Sequence, residues 1–316
     1  MVDKSADEAI AKLLKSNKSL QLGNSNSFDY ERIPFGIPVL DKLTGGGIPK
    51  KRLTLIYGPT NVGKSYLASQ IVMNVQKQGG IAAWVDTELS WDSAWNEKCG
   101  VDTSKLLVSQ PANGEEALDT IRELMLAGVD VIVLDSIAGL VPTTVIEEEF
   151  NYNPIAWQAR FINSALPKLF YHLKEGSALV AINQVRSSMG PVALDNMPGG
   201  LAQTFFAHFL LQVRRKGWIK DTKNKDQNVG FDMEVRLRKT KVGGENWTSA
   251  VVPFRVDGGI DIIESYIREA LDQGIIVKNG AWYTYKETKT MGLQGLKNAF
   301  VGDEELFEGL KNELTT

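Results

Sequence analysis

Lys64 and Ser65 stand side by side after Gly58-Pro59-Thr60-Asn61-Val62-Gly63, a spacing suited to holding phosphates. Glycines at both ends let the backbone curl until its N–H groups point inward. Lys64 then adds a point charge for β- and γ-phosphates, and Ser65 a hydroxyl for Mg²⁺. The flanks agree with this chemistry. The apolar run Leu53 to Tyr57 reads as a buried strand before the loop, and Tyr66 to Val75 as a helix after it whose positive end favours anions. Gly58 to Tyr66 is therefore the expected nucleotide-binding segment.

Three further strand ends carry polar groups that a phosphate-handling site needs. Val131-Ile132-Val133-Leu134 is closed by Asp135, the pattern of a Walker B strand whose acid holds Mg²⁺ through water. Ser136 follows, so a water-activating base must come from elsewhere. Glu88, at the tip of the predicted strand Trp84–Glu88, can polarise a water for in-line attack on a γ-phosphate; capping of the next helix is its alternative use. The third end is Ile182-Asn183-Gln184. Buried amides are costly unless paired, and a γ-phosphate would pair Gln184, making it a switch for the segment that follows. That segment, Val185 to Gln203, holds Gly190, Pro191, Pro198, Gly199 and Gly200 without periodicity and is expected to be a long mobile loop.

The elements that must carry these residues alternate in type. Strands at Leu53–Tyr57, Gly80–Glu88, Val129–Asp135 and Ala178–Gln184 are separated by helical stretches that include Glu115–Ala127 and Phe161–Lys174. This is the pattern of an α/β doubly wound, mostly parallel sheet, in which ligands sit at the carboxyl ends of the strands. Ahead of the core, Asp3 to Lys15 has an apolar face of Ala6, Ile10, Leu13 and Leu14, and Ser19-Leu20-Gln21-Leu22 alternates like a short strand. The expected organisation is an N-terminal helix/strand arm with its linker over 1–29, then one large core and a smaller satellite domain. The arm either docks on a neighbouring subunit or folds back on its own core.

Composition narrows the classes. The 316 residues are 43% hydrophobic and 23% charged, with no apolar run long enough to span a bilayer and a polar, charged start, so no membrane partner is expected and a cytoplasmic location is. A single cysteine, Cys99, excludes an internal disulfide and a multi-cysteine zinc site, and His172 and His208 form no ligand cluster. A net charge of -3 gives no global attraction to nucleic acid, but Arg214 to Lys241 holds ten Lys/Arg against four Asp/Glu. Such a run suits either DNA or a solvated surface.

The phrases IYGPTNVGKS, WVDTEL, VDVIVLDSIAGLVP, AINQVR, RKTK and KNGAWYTYK, in this order and spacing, resemble the bacterial RecA recombinase family from about Ser19 to Leu314. The resemblance implies an ATP- and Mg²⁺-dependent protein with a RecA-like P-loop ATPase core over 30–256 and a small α+β C-terminal domain over 257–316. It would polymerise as a helical filament on single-stranded DNA, pair it with homologous double-stranded DNA and exchange strands. Carried over by position, it makes Lys64 and Ser65 the phosphate and Mg²⁺ residues, Asp135 the water-mediated Mg²⁺ acid, Glu88 the general base and Gln184 the γ-phosphate sensor. Asp92 and Trp95 fall beside the adenine, Trp95 where the family usually has tyrosine. Lys239 and Lys241, which the residues alone read as a solvated strand edge, match a lysine pair that reaches ATP on the adjacent subunit. Two loops, Glu147–Trp157 and Val185–Gln203, would hold DNA, with Arg160, Asn183, Arg186, Met189, Gly199 and Gly200 among the DNA-binding positions.

The chain also departs from the family pattern. Thr204 stands where lysine is usual, Glu147-Glu148-Glu149 makes the first loop acidic at its start, and no long acidic tail follows the C-terminal domain. Three alternatives remain at this level: a ring-forming ATPase or helicase of the same superfamily, a DNA-binding regulator switched by ATP, and a small-molecule P-loop kinase. The first normally uses an arginine finger and lacks such a C-terminal domain, the second would not need Glu88, and the third needs a substrate lid rather than so long a loop.

Overall fold

Short runs of β-branched and aliphatic residues, each too brief for a helix, set the centre of the fold. The computed structural model describes residues 4–25, 29–147, 154–173, 176–185, 197–221, 224–244 and 248–315. It divides into two compact units, Met1–Glu31 and Arg32–Thr316.

The first unit holds α1 (Lys4–Ser16), as the amphipathic pattern predicts. The strand expected at Ser19 to Leu22 does not form. A strand is stabilised by hydrogen bonds to a second strand, and none exists among the described residues of this unit. The backbone turns locally instead, with Leu20 N donating to Asn17 O and Ser25 N to Leu22 O.

The second unit opens with β1 (Arg32–Ile33), α2 (Pro38–Thr44) and β2 (Ile48–Pro49), whose two strands pair. The α/β series follows: β3 (Leu53–Gly58), α3 (Lys64–Lys77), β4 (Ala82–Asp86), α4 (Ser93–Lys98), β5 (Leu106–Ser109), α5 (Gly114–Leu126), β6 (Val131–Asp135), α6 (Thr143–Glu147), α7 (Pro154–Leu173), β7 (Ala178–Gln184) and α8 (Ala202–Phe206). A meander comes next, of β8 (Phe209–Lys220), β9 (Asn228–Thr240), β10 (Ser249–Arg255) and β11 (Gly259–Ile260). The chain closes with α9 (Ile262–Asp272), β12 (Val277–Asn279), β13 (Trp282–Tyr285), β14 (Thr288–Met291), α10 (Gly292–Gly302) and α11 (Glu304–Thr315).

One nine-stranded sheet runs β11-β10-β9-β8-β3-β7-β6-β4-β5. The strands from β8 to β5 are parallel neighbours, and β9, β10 and β11 join antiparallel at the other side. Every residue of β3, β4 and β6 is buried, which explains why they read as continuous apolar runs rather than alternating ones. Each Val, Leu or Ile removed from water there contributes about 1.5–3 kcal/mol. Helix α5 shows how local signals seat the covering layer. Asn113 caps it by accepting from Glu116 N (2.8 Å), the Glu116 carboxylate accepts from Ala112 N (2.8 Å), and Ala117, Ile121 and Met125 turn one stripe inward.

Several predicted boundaries shift. The strand expected to run to Glu88 stops at Asp86, leaving Glu88 in the turn beyond it. The first loop, expected over Glu147–Trp157, is narrower: α6 reaches Glu147 and α7 already starts at Pro154, whose fixed φ and missing N–H suit a first helical turn. Residues 148–153 lie outside the described residues. The second loop is cut short at its far end by α8, and 186–196 are likewise outside. β5 carries no clear sequence signal, because it is short and exposes Leu107 and Val108 on the open sheet edge.

The C-terminal elements have their own apolar cluster, including Ile267, Tyr285, Leu296, Phe300 and Leu310. They meet the large sheet through an ion network. Glu264, buried on α9, accepts from Arg255 of β10 (2.7 Å), Arg268 (2.6 Å) and Lys297 of α10 (3.3 Å), while Arg268 also reaches Asp232 of β9 (2.7 Å). Burial pushes the Glu264 carboxyl up, but the hydrogen bonds from Arg255 and Arg268 outweigh it and hold the pKa below the ordinary glutamate value. Its stabilisation is therefore complete above the unfolded value of 4.5 and is lost as pH falls through the lower folded value. Glu264→Ala leaves two guanidiniums and an ammonium short of a partner and should cost about 3–5 kcal/mol in urea unfolding at neutral pH. A loss below about 1 kcal/mol would show that the network does not hold the C-terminal elements to the sheet.

Candidate functional site

Strand register brings the polar strand ends together. Gly58 pairs with Gln184 across β3 and β7, and Asp86 with Asp135 across β4 and β6, so the strand ends finish level in two pairs, and because Leu134 pairs with Ala181 the second pair stops two residues before the first. The P-loop rises from the central strand at this edge. Gly58 is required because β8 passes close by: a Cβ there would lie 2.1 Å from Val213 O. Gly63 caps α3 at φ 88, a left-handed conformation that glycine adopts without cost.

The resulting cleft, of about 300 Å³, is lined by Thr60 to Tyr66, Glu88, Ser90, Trp95, Asp135, Ile182, Gln184 and Phe254. Lys64 is buried, and its ammonium donates to Pro59 O (2.6 Å). Burial lowers its pKa, partly opposed by the charges of Asp135 and Glu88. Burial pushes the Asp135 carboxyl up to about 6 despite a hydrogen bond from Ser65. A carboxylate in that setting gains from a nearby cation, and the oxygen-only pair of Ser65 and Asp135 suits a hard ion that keeps most of its own water. Among the described residues no cluster of three or more His, Cys, Asp or Glu offers a fuller cage.

Glu88 has two side-chain partners. Ser136 donates from its hydroxyl to Oε1, and the Gln184 amide donates to both Oε1 (2.9 Å) and Oε2 (3.0 Å). Thr87 ties the two strand ends together, its N donating to Asp135 O (2.8 Å) and its hydroxyl to Ser136 O (2.7 Å). A neighbouring hollow of about 450 Å³ shares Thr60, Glu88 and Gln184 with the cleft and extends to Val185 and Pro198 at the two ends of the second loop. A smaller one of about 120 Å³ holds Ser65, Tyr66, Trp91, Asp92 and Trp95. Asp92 also caps α4 by accepting from Trp95 N (3.0 Å).

The structure gathers Lys64, Ser65, Tyr66, Glu88, Trp95, Asp135 and Gln184 around one cleft. Asn183 is a correction to the expected DNA-binding positions. It is completely buried, and its amide donates to Pro198 O (2.9 Å) and Gln203 Oε1 (2.8 Å), so it braces the end of the second loop rather than facing a ligand. Gly200 takes part in the same brace, accepting from the Gln203 amide (2.9 Å), and Gly199 lies next to it. Arg160 is exposed on α7 with its guanidinium 5.7 Å from the Trp157 ring. Arg186 and Met189 lie outside the described residues. Lys239 and Lys241 do not line the cleft; both donate to carbonyls at the end of α8, Lys239 to Thr204 O and Lys241 to Phe205 O (2.8 Å). Phe254 and Gln203 carry no sequence signal for these places, since each is brought in by chain distant from the motif it supports. Asp86 was visible in WVDTE as one of two carboxylates closing a strand, but its burial was not.

A doubly wound sheet with a phosphate loop after its central strand defines the class of RecA-like P-loop α/β domains. The RecA N-terminal domain family model matches residues 3–260 of this chain. The chain is 39% identical over 289 residues to "Protein RecA" of Bifidobacterium longum, covering 89% of this chain and 72% of that one. It is 38% identical over 273 residues to that of Thermus aquaticus (85% and 79%) and 34% identical over 310 residues to that of Chlorobium limicola (96% and 87%). The chain belongs to the RecA family.

The lysine pair has a titratable neighbour. Burial, then the charges of Arg52, Lys241 and Lys239, lower the pKa of His208 from 6.5 to about 4. The ring is therefore neutral in the folded chain, and its contribution to stability, complete above pH 6.5, is lost as pH falls toward 4. His208→Gln should flatten the acid limb of stability against pH across that window, read by urea unfolding at constant ionic strength. An unchanged slope would show that His208 is not responsible for it.

Proposed function

We propose that this chain is an ATP-dependent recombination protein that polymerises on single-stranded DNA, hydrolyses ATP when DNA is bound, and pairs the strand with a homologous duplex. The observation that carries this reading is the cleft itself: Lys64, Ser65, Asp135 and Glu88 converge with Gln184, and Gln184 closes β7 immediately before the second loop. Membership of the RecA family supports the same reading. We also infer a cytoplasmic location; no helix among the described residues is long and apolar enough to cross a membrane.

In this mechanism the P-loop backbone and Lys64 bind the phosphates, and Trp95 offers the base a flat face. Ser65 and Asp135 would hold Mg²⁺, which when bound offsets charge on the β- and γ-phosphate oxygens. Glu88 orients the attacking water and accepts its proton as the γ-phosphoryl group leaves for that water, giving ADP and phosphate. Gln184 exchanges its bond to Glu88 for one to the γ-phosphate, freeing the base and drawing on the loop that follows. The brace of Asn183, Gln203 and Pro198 carries that movement toward α8, where Lys239 and Lys241 are anchored. Those lysines reach the triphosphate of an adjacent subunit, so hydrolysis requires assembly. Sequence specificity comes from base pairing, because the protein's own contacts are chiefly to the DNA backbone.

ATP turnover should rise strongly and cooperatively with protein concentration when single-stranded DNA is added. The Lys239→Ala/Lys241→Ala protein should lose that stimulation by at least about a hundredfold, in line with other charges donated across subunits. Glu88→Ala should slow turnover yet keep ATP-dependent DNA binding. Turnover indifferent to DNA, to concentration and to the lysines would leave only a P-loop ATPase and end the filament reading.

A further inference from the structure

β4 ends in a carboxylate that the mechanism above does not use. Asp86 is completely buried. Its Oδ1 accepts from Glu88 N (3.2 Å) and Ser90 Oγ (3.4 Å), and its Oδ2 from Trp91 N (2.9 Å) and Gln110 Nε2 (3.0 Å). All four are neutral donors. Burying a carboxylate is costly even when it is hydrogen-bonded, and Asn or Ser would serve a purely local turn at less cost.

The turn that Asp86 grips is itself strained. Leu89 sits at φ 55, a left-handed conformation that its Cβ disfavours, and it is 69% exposed, so packing does not hold it there. The two backbone N–H groups bonded to Asp86 belong to Glu88, just before Leu89, and to Trp91, two residues after it. One carboxylate thus closes the turn from both sides. The Glu88 side chain leaves that turn toward Ser136 and Gln184. Gln110 completes the clamp from the residue after β5, the edge strand of the sheet, and ties the turn to a rigid element.

We propose that Asp86, with Gln110, is a positioning residue for ATP hydrolysis: it clamps the 87–91 turn so that Glu88 meets the attacking water. This rests on the reading of Glu88 as the general base. Asp86 is buried beneath the turn and does not line the cleft, so its loss acts on the rate of the chemical step and leaves the phosphate grip of the P-loop intact. Small displacements of a catalytic group cost large factors in rate.

The test uses the full-length protein with single-stranded DNA and compares Asp86→Asn, Gln110→Met and Glu88→Gln with the wild type. Gln110 is exposed, so Gln110→Met keeps a folded protein available should Asp86→Asn fold poorly. The expected result for Asp86→Asn is a kcat lower by roughly 10–100-fold. The affinity for a non-hydrolysable ATP analogue should stay within about twofold, and amide exchange should quicken in the peptide spanning 87–91 but not in the P-loop. Gln110→Met should move the same readouts in the same direction by less. A kcat equal to wild type in both variants, or losses of kcat and analogue affinity in equal proportion, would overturn the proposal. A Glu88→Gln protein that turns over like wild type would overturn the assignment of Glu88 and this proposal with it. That failure is recognisable because it requires no change at Asp86.

Discussion

The fixed register of four neighbouring parallel strands, which finish level in two pairs, is the constraint from which the cleft follows. In a parallel ladder each residue's neighbour is set by register, and a slip of one residue turns every side chain to the other face. Gly58 beside Gln184 and Asp86 beside Asp135 are therefore single consequences of how β3, β7, β6 and β4 pair. Continuous apolar runs bury both faces of these strands, and the interior then has no tolerance for an offset register. The β8 backbone closes in on Gly58 from the other side, leaving room for no side chain at the start of the P-loop.

The same edge carries polar groups that do nothing for stability on their own. Lys64, Asp86, Asp135 and Asn183 are all buried there. Burial disfavours the charged forms of Lys64 and Asp135, and only part of that is returned by their neighbours. Sites arranged this way are stabilised by the rest of the fold, here the fully buried strands beneath them, and gain from ligands that complete them. The Glu264 network is a different use of buried charge: its three cations and three carboxylates satisfy one another and join the C-terminal elements to the antiparallel half of the sheet.

A chain of short contacts leads away from the cleft. Gln184 holds Glu88, Asn183 beside it holds Pro198 and Gln203, and α8 begins at Ala202 and ends on carbonyls held by Lys239 and Lys241. Each link is a hydrogen bond with a definite partner to lose.

Read without coordinates, the residues determine the phosphate loop, the parallel α/β class, and the roles open to Glu88, Asp135 and Gln184, because those signals are local: glycine spacing, apolar runs, and a polar residue where a run ends. Local signals also mark α1 and the capped α5. They could not settle Ser19–Leu22, since alternation shows what a strand would bury but cannot supply the second strand it must pair with. They misjudged Asn183, because an amide at a strand end looks the same whether it faces a ligand or a buried carbonyl. They left Asp86 as one of two acids in WVDTE. Which of the two is exposed to the cleft and which is locked beneath the turn depends on where β4 stops, on Gln110 arriving from the edge strand, and on β10 bringing Phe254 over the P-loop. Those contacts join residues far apart in the chain, and only the folded sheet brings them within hydrogen-bonding or packing distance.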